Sequence, residues 1–151
     1  MKKKFLLLTA LSFVLLTTQS SFSPANPPDL VKDVLHYTNK FRKSKRLSEL
    51  EINAALNAIA QKHSENMASG RVSFGHDGFD KRMKQACKAI NGVHTFAENV
   101  AYGPRTGEEV VGMWKKSTGH RENMLGNYRY IGIGTAKDRR GTIYYTEVFA
   151  N

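Results

Sequence analysis

Hydrophobic positions recur every three to four residues through most of the chain and change to a strand-like pattern near its end. The first helical stretch begins at Asp29, whose side chain can cap a helix. The residues that share one face of this helix are Leu30, Val34, Thr38 and Phe41. The opposite side is rich in lysine, so the pattern predicts a half-buried helix with a basic outer face.

A second stripe at helical spacing indicates a longer amphipathic helix. Its members are Ile52, Leu56, Ile59, His63 and Met67. Ser48 and Glu51 have the spacing of a capping box and Gly70 is a natural stop, so we predict a helix between Ser48 and Gly70. Because His63 lies on the apolar stripe, we interpret it as a buried structural histidine rather than as a ligand.

Two more helices are predicted in the middle of the chain. A short basic helix spans Asp80 to Lys88. A further helix starts at Thr106, which has capping-box spacing to Glu109, and it ends at Gly119. The residues that this helix is expected to bury are Val110, Met113 and Trp114.

The C-terminal segments have the composition of strands. Residues Tyr128–Ala136 and Thr142–Phe149 are rich in aromatic and β-branched side chains, and a polar turn ending at Gly141 separates them. The two segments are therefore predicted to pair as a hairpin. Because helices precede this hairpin instead of alternating with strands, the predicted fold class is α+β.

The N-terminal residues have the organisation of a secretory signal peptide. Lys2–Lys4 form a positive start, the apolar run Phe5–Leu16 follows, and small polar residues come next. The apolar run is shorter than the roughly 20 residues that span a membrane. We predict that residues 1–21 are a cleaved signal peptide, 22–28 a proline-containing linker and 29–151 one folded domain.

The charge of the exported part is strongly positive. The 151 residues include 23 Lys and Arg and 13 Asp and Glu. The leader contributes three lysines and no acid, which leaves 20 basic against 13 acidic residues and a net charge of about +7. Such a surface favours acidic polysaccharide or a phospholipid face as a partner, or it serves solubility alone. The export signal argues against nucleic acid, and we expect a monomer.

The single cysteine, Cys87, cannot form a disulfide within the chain. An exported domain without a disulfide is held together by its core, or it pairs between chains through its thiol. We interpret Cys87 as a half-buried small apolar residue.

Three side chains are candidates for a polar cleft. His76 and His120 each follow a glycine at the edge of an element, where a side chain can project without competing for core space. Glu98 enters a locally apolar segment and therefore needs a partner, for which an imidazole is suitable. Two histidines and a carboxylate are also a reasonable set of ligands for a divalent metal ion.

The order of several segments resembles the bacterial branch of the CAP superfamily, also called the SCP-like extracellular domain. The matching stretches are LHYTNKFR, LNAIAQKHSENMA, FGHDGF, AENVAYG, VVGMWKKSTGHRENML, YIGIGTA and YYTEVF. The resemblance implies a three-layer α-β-α sandwich with a central antiparallel sheet and a large cleft. In many members two histidines and two glutamates meet in that cleft and can hold a divalent cation, often zinc.

Carried onto this sequence, His76 and His120 match the two histidines of the family cleft and are its implied metal ligands, and Glu98 matches one glutamate. Ser117 stands where the second glutamate would be, which leaves an incomplete set. Glu147 stands where bacterial relatives often carry glutamine. It could supply the missing carboxylate if it points inward, although strand alternation could equally turn it to solvent.

Arg121 and Asn123 follow His120 in the run HREN. We interpret them as structural residues that tie the turn after the helix to neighbouring backbone carbonyls and carboxylates. A contact between Arg121 and an acid of the cleft is the alternative.

Three functions are compatible with these features. The first is a non-enzymatic binding module whose cleft residues His76, Glu98, His120 and Glu147 hold a lipid, glycan or peptide. The second is a metal-dependent hydrolase, peptidase-like, in which a metal-bound water is activated near Glu98. The third is a basic protein that adheres to anionic surfaces. We prefer the binding module.

Overall fold

The computed structural model describes residues 29–151, so the predicted signal peptide and linker lie outside the described residues. The helices are α1 (Leu30–Ser44), α2 (Ala54–Ala68), α3 (Phe79–Ala89), α4 (Gly107–Lys116) and α5 (Thr118–Leu125). The strands are β1 (Glu51–Ile52), β2 (Phe96–Tyr102), β3 (Tyr130–Lys137) and β4 (Ile143–Ala150). Within residues 29–151 no helix is long and apolar enough to cross a membrane.

One four-stranded sheet, in the order β1-β3-β4-β2, forms the middle of the domain. Strands β3 and β4 are the predicted hairpin, and β2 pairs antiparallel with the other side of β4. The two-residue β1 alone runs parallel, beside β3. In the hairpin turn the side chain of Asp138 accepts hydrogen bonds from the backbone N–H groups of Arg140 and Thr142. The α+β class and the layered architecture are therefore as predicted.

Helix α2 lies against one face of the sheet, and two glycines of β3 allow it to come close. A Cβ atom on Gly132 would overlap the backbone of Leu56, and one on Gly134 would overlap the backbone of Ala60 and Gln61. The Ser64 hydroxyl donates to the carbonyl of Gly134 at 2.9 Å. Strand β3 thus contacts α2 largely through backbone, an arrangement that only glycine permits.

Side chains of α2 also complete the hydrogen bonding of β3 beyond the end of β1. Asn57 accepts the N–H of Ile133 at 2.8 Å, and Gln61 accepts the N–H of Thr135 at 3.0 Å and donates to its carbonyl at the same distance. These amides take the place of a neighbouring strand, so the exposed part of the β3 edge is already paired.

Helices α1, α4 and α5 cover the other face of the sheet around the larger part of the core. The buried side chains there include Val34, Phe41, Trp114, Met124, Ile131 and Phe149. The Trp114 indole N–H donates to the carbonyl of Val100 at 3.2 Å, which satisfies the one polar atom of this buried ring. The stripe of α1 and the Thr106 cap of α4 are confirmed.

Four local predictions were wrong. Helix α2 begins after an Asn53 cap rather than at Ser48, because β1 takes up the residues before it and leaves Ile52 exposed. Met113 is 49% exposed because it lies on the outer side of α4. Cys87 is exposed rather than half-buried. His120 belongs to α5, which starts directly after α4, and not to a turn that ends the helix.

Candidate functional site

Glu98 is a fully buried carboxylate at the centre of the predicted cluster. It lies in β2 on the face covered by α2 and α3, and its side chain has no solvent exposure. Arg82 binds it through both oxygens, with Nε 2.6 Å from Oε2 and Nη2 2.7 Å from Oε1. A bidentate guanidinium–carboxylate pair is among the strongest charge-assisted contacts in proteins. The burial of the Glu98 charge is therefore compensated by Arg82.

Arg82 also fixes the loop in front of α3. Its Nη1 donates to the carbonyl of Asp77 at 2.8 Å and its Nη2 to the carbonyl of His76 at 3.3 Å. Arg82 does not stand out in the sequence because the other cations of its helix are lysines on the exposed side. One signal was present: Arg82 shares a helical face with the apolar residues Phe79 and Ala86, whereas the lysines of α3 do not.

His76 contacts Glu98 as predicted. Its Nδ1 lies 2.8 Å from Oε1 of Glu98, and its side chain is 49% exposed. Because the carboxylate can only accept, Nδ1 is the nitrogen that carries the proton, and Nε2 is left as the nitrogen that can meet a ligand. Glu98 thus holds the imidazole in one tautomer and orientation.

His63 is a buried structural histidine, as interpreted from its stripe. Its Nε2 lies 2.9 Å from the carbonyl of Gly75, to which it donates, and 3.9 Å from Oε1 of Glu98. Burial lowers the pKa of His63, and the charge of nearby Arg82 lowers it further, so the ring is neutral at neutral pH. The contact holds the loop residue that precedes His76.

His120 reaches the same region from α5. Its side chain is partly exposed, and burial together with the charge of His76 lowers the pKa of His120. Its backbone is tied to β2, because Asn99 donates to the carbonyl of His120 at 3.1 Å. Asn123 donates to the carbonyl of Glu98 at 3.2 Å and to the Asn99 side chain at 2.9 Å. The structural role of Asn123 is confirmed, and Arg121 forms no ion pair within residues 29–151.

Glu147 lies on the opposite face of the sheet from Glu98. In the register of β2 and β4, Glu147 pairs with Asn99 and Val148 pairs with Glu98, so the side chains of Glu147 and Glu98 point in opposite directions. Glu147 is fully buried and accepts hydrogen bonds from Thr38 at 2.7 Å and Asn99 at 3.3 Å. It turns neither into the cluster of His76 and Glu98 nor to solvent, and it cannot supply a carboxylate there.

Burial raises the pKa of Glu147 to about 7, although hydrogen bonds from Thr38 and Asn99 and the charge of Arg42 act in the other direction. A folded-state pKa above the ordinary value means that folding takes up a proton between about pH 4.5 and pH 7. The stability that this proton contributes is complete at the acid end and is lost as the pH rises towards 7. The loss is roughly 3 kcal/mol for a shift of this size.

We therefore expect Glu147→Gln to remove this pH dependence. The free energy of unfolding in urea is to be measured for both proteins at pH 5 and pH 8. Between these pH values the free energy of unfolding of the variant, relative to that of the wild type, should rise by about 2–3 kcal/mol. Titration of His63 acts in the opposite direction, but it is common to both proteins and cancels in the comparison. A difference between the two proteins that does not change with pH would contradict the assignment of a neutral buried Glu147.

The donor set for a metal ion is small. Among residues 29–151 no three His, Cys, Asp or Glu side chains come together in a way that could hold one. Both oxygens of Glu98 are engaged by Arg82 and His76. Two imidazoles remain, whereas zinc sites in proteins use three or four protein ligands. The residues present do not fit a tightly held zinc ion.

A cavity of about 370 Å³ lies between α2 and α3 beside the buried pair. Its lining includes His63 and Arg82, the two residues that approach Glu98 from that side, together with Lys62, Lys81 and Asp77. The polar cluster therefore borders open space on its α3 side, while His76 is exposed at the surface.

Comparison with known proteins agrees with this fold. The sequence profile of the cysteine-rich secretory protein family (CAP) matches residues 35–149. The Bacillus subtilis protein YkwD is 33% identical over 125 residues, which cover 78% of this chain and 47% of YkwD. The Bacillus subtilis membrane protein YlbC is 30% identical over 123 residues, which cover 78% of this chain and 33% of YlbC. The chain thus spans less than half the length of these relatives.

Solved structures show the same architecture. An outer surface protein from Borrelia burgdorferi superposes with a TM-score of 0.72 at 21% identity, covering 84% of this chain and 96% of that protein. A cysteine-rich secretory protein from Staphylococcus aureus gives a TM-score of 0.67 at 26% identity, covering 82% of this chain and 38% of that protein. An extracellular SCP-domain protein from Bacillus anthracis gives 0.68 at 24% identity, covering 79% of this chain and 39% of that protein.

Proposed function

Because the chain belongs to the cysteine-rich secretory protein (CAP) family, we propose that it is an exported binding module. Its exposed His76 and partly exposed His120 hold the polar part of a lipid, glycan or peptide. Export is supported by the signal-like order of the first residues. It is also supported by the outer-surface and extracellular proteins among the structural neighbours.

The observation that carries the proposal is that both carboxylate oxygens of Glu98 are already hydrogen-bonded. Its two oxygens accept from Arg82 and His76, and the group is buried. A general base must have a free oxygen within reach of the proton that it removes, so this carboxylate is placed to orient His76 rather than to activate water. Nothing in the geometry favours the hydrolase alternative. An oriented, half-exposed imidazole is suited to hydrogen-bonding a ligand.

The test is the detection of bound ligand. The secreted protein, purified without extraction steps that remove lipid, is expected to carry a co-purifying molecule visible by native mass spectrometry. The double variant His76→Ala with His120→Ala should retain about tenfold less, since two hydrogen bonds to the ligand are lost. The matched control is His36→Ala with His94→Ala, which removes two exposed histidines elsewhere. Equal retention by both variants, or no bound molecule in the wild type, would overturn the proposal.

Zinc provides an independent prediction. Because two imidazoles make a weak site, the protein equilibrated with excess zinc and then gel-filtered should retain much less than one equivalent by elemental analysis. Stoichiometric zinc that disappears in the His76→Ala, His120→Ala variant but survives in the control variant would contradict this expectation. It would then favour the metal-dependent hydrolase.

A further inference from the structure

Three aromatic rings lie in contact at the surface beside the loop that carries His76. The rings of Phe74 and Tyr102 meet edge to face with centroids 4.8 Å apart, and those of Tyr102 and Tyr144 stack at 5.7 Å. Phe74 is 47% exposed and Tyr102 is 52% exposed. We call Phe74, Tyr102 and Tyr144 the aromatic row.

The aromatic row is held in place by the fold. Tyr102 and Tyr144 are directly opposite each other in the pairing of β2 with β4, which fixes the distance between their rings. Phe74 precedes Gly75, whose carbonyl is bound by the buried His63. Rings that are already ordered lose little conformational entropy when a ligand binds. Exposed aromatic side chains in contact with one another, such as Phe74 and Tyr102, are typical of a binding surface.

One end of the aromatic row opens into a basic cavity. Tyr144 lines a space of about 650 Å³ together with the hairpin turn residues Lys137, Arg139 and Arg140. Within residues 29–151 Lys137 and Arg139 form no ion pair, and the side chain of Arg140 is 87% exposed although it lies 3.7 Å from Asp138.

Two acidic residues also line this cavity, Glu65 and Asp138. Asp138 is 10% exposed and is directed into its own turn, where it accepts two backbone N–H groups. Glu65 accepts from Gln61 on the same helix. The charge presented to an incoming ligand is therefore mainly positive.

We propose that the aromatic row and the basic turn together form a binding site for an acidic glycan. Sugar rings would lie against the exposed surfaces of Tyr102, Tyr144 and Phe74, because an apolar aromatic ring packs against the C–H face of a sugar. Carboxylate groups of the glycan would pair with Lys137, Arg139 and Arg140. This inference does not depend on the ligand site at His76 and His120.

The experiment measures affinity of the mature chain for oligogalacturonate and hyaluronan oligosaccharides, both uronic-acid polymers, by calorimetry. The neutral probe is a cello-oligosaccharide, the probe with charge but no sugar is poly-L-glutamate, and the nucleic acid probe is oligothymidylate. We expect binding of the two acidic glycans and at least tenfold weaker binding of each other probe.

Variants separate stacking from charge. Tyr102→Ala should weaken binding of the acidic glycans about tenfold, whereas Tyr102→Phe should leave it within a factor of two, since the ring remains. The matched control is Met113→Ala, an equally exposed residue in the layer on the other side of the sheet. The double variant Arg139→Ala with Arg140→Ala should also bind the acidic glycans about tenfold more weakly. The double variant Lys115→Ala with Lys116→Ala makes the same charge change in α4 and should bind them almost as tightly as the wild type.

Several results would overturn the proposal. The first is that the wild type binds neither acidic glycan. The second is that the Arg139/Arg140 and Lys115/Lys116 variants lose the same amount of glycan affinity. The third is that poly-L-glutamate binds as tightly as the glycans. Tighter binding of oligothymidylate would assign the surface to nucleic acid instead. A loss of affinity in Tyr102→Ala counts only if its thermal midpoint matches that of Tyr102→Phe, and equal affinity of these two variants overturns the stacking contact.

Discussion

Replacing Glu98 with alanine is expected to lower the free energy of unfolding by about 3–5 kcal/mol, because the change leaves the buried Arg82 guanidinium without its carboxylate. The variant also loses the partner of His76. Urea unfolding followed by the fluorescence of Trp114, the single and fully buried tryptophan, measures the change directly.

A surface pair provides the matched control. Glu51 lies 3.4 Å from Arg129 with both side chains more than half exposed, so Glu51→Ala should cost less than about 1 kcal/mol. The double variant Arg82→Met with Glu98→Leu removes both charges at once and should be more stable than Glu98→Ala. If Glu98→Ala and Glu51→Ala had the same free energy of unfolding, the buried pair of Glu98 with Arg82 would not stabilise the domain more than a surface pair does.

Replacing Gly134 with alanine is the second change with a large expected effect. The added methyl group would overlap the backbone of Ala60 and Gln61, which cannot rotate away as a side chain can. Helix α2 must therefore move from β3, which weakens the contacts of Ser64 with Gly134 and of Gln61 with Thr135. We expect a loss of about 3 kcal/mol and a fall in Tm of about 10 °C by calorimetry.

Gly112 is the natural control for this substitution. It lies within α4 with no atom near the position that a Cβ would occupy. Gly112→Ala is expected to stabilise the domain by about 0.5–1 kcal/mol, because alanine favours a helix over glycine. If Gly134→Ala were as harmless as Gly112→Ala, the close approach of α2 to the sheet would be contradicted.

Helix α2 and strand β2 together determine the position of His76 in the candidate site. Helix α2 carries His63, which holds the loop in front of His76, and β2 carries Glu98, which orients the His76 ring. The exposed imidazole is thus positioned by two elements of the central packing. We expect substitutions that displace α2 to disturb the orientation of His76 as well as stability.

Local patterns in the sequence were sufficient for most of the secondary structure. The stripe that includes Val34 and Phe41, the cap at Thr106 and the turn ending at Gly141 each depend on residues a few positions apart, and each is present as predicted. The start of α2 was misjudged because Ser48 and Glu51 have the spacing of a cap while β1 pairs with a strand about 80 residues later.

The contact of His76 with Glu98 could be anticipated from the sequence because the glycine-flanked loop and the isolated acid are local features. The sequence did not show on which side of the sheet Glu98 and Glu147 lie. Alternation along a strand relates neighbouring positions, but it does not say which face of the sheet a helix covers. The sequence also did not show which residue pairs with Glu98, because Arg82 in α3 contacts Glu98 only when α3 packs beside β2. Sequence periodicity thus determined the elements and the residues to consider, whereas the packing of the helices on two faces of one sheet decided which charges meet and which are separated.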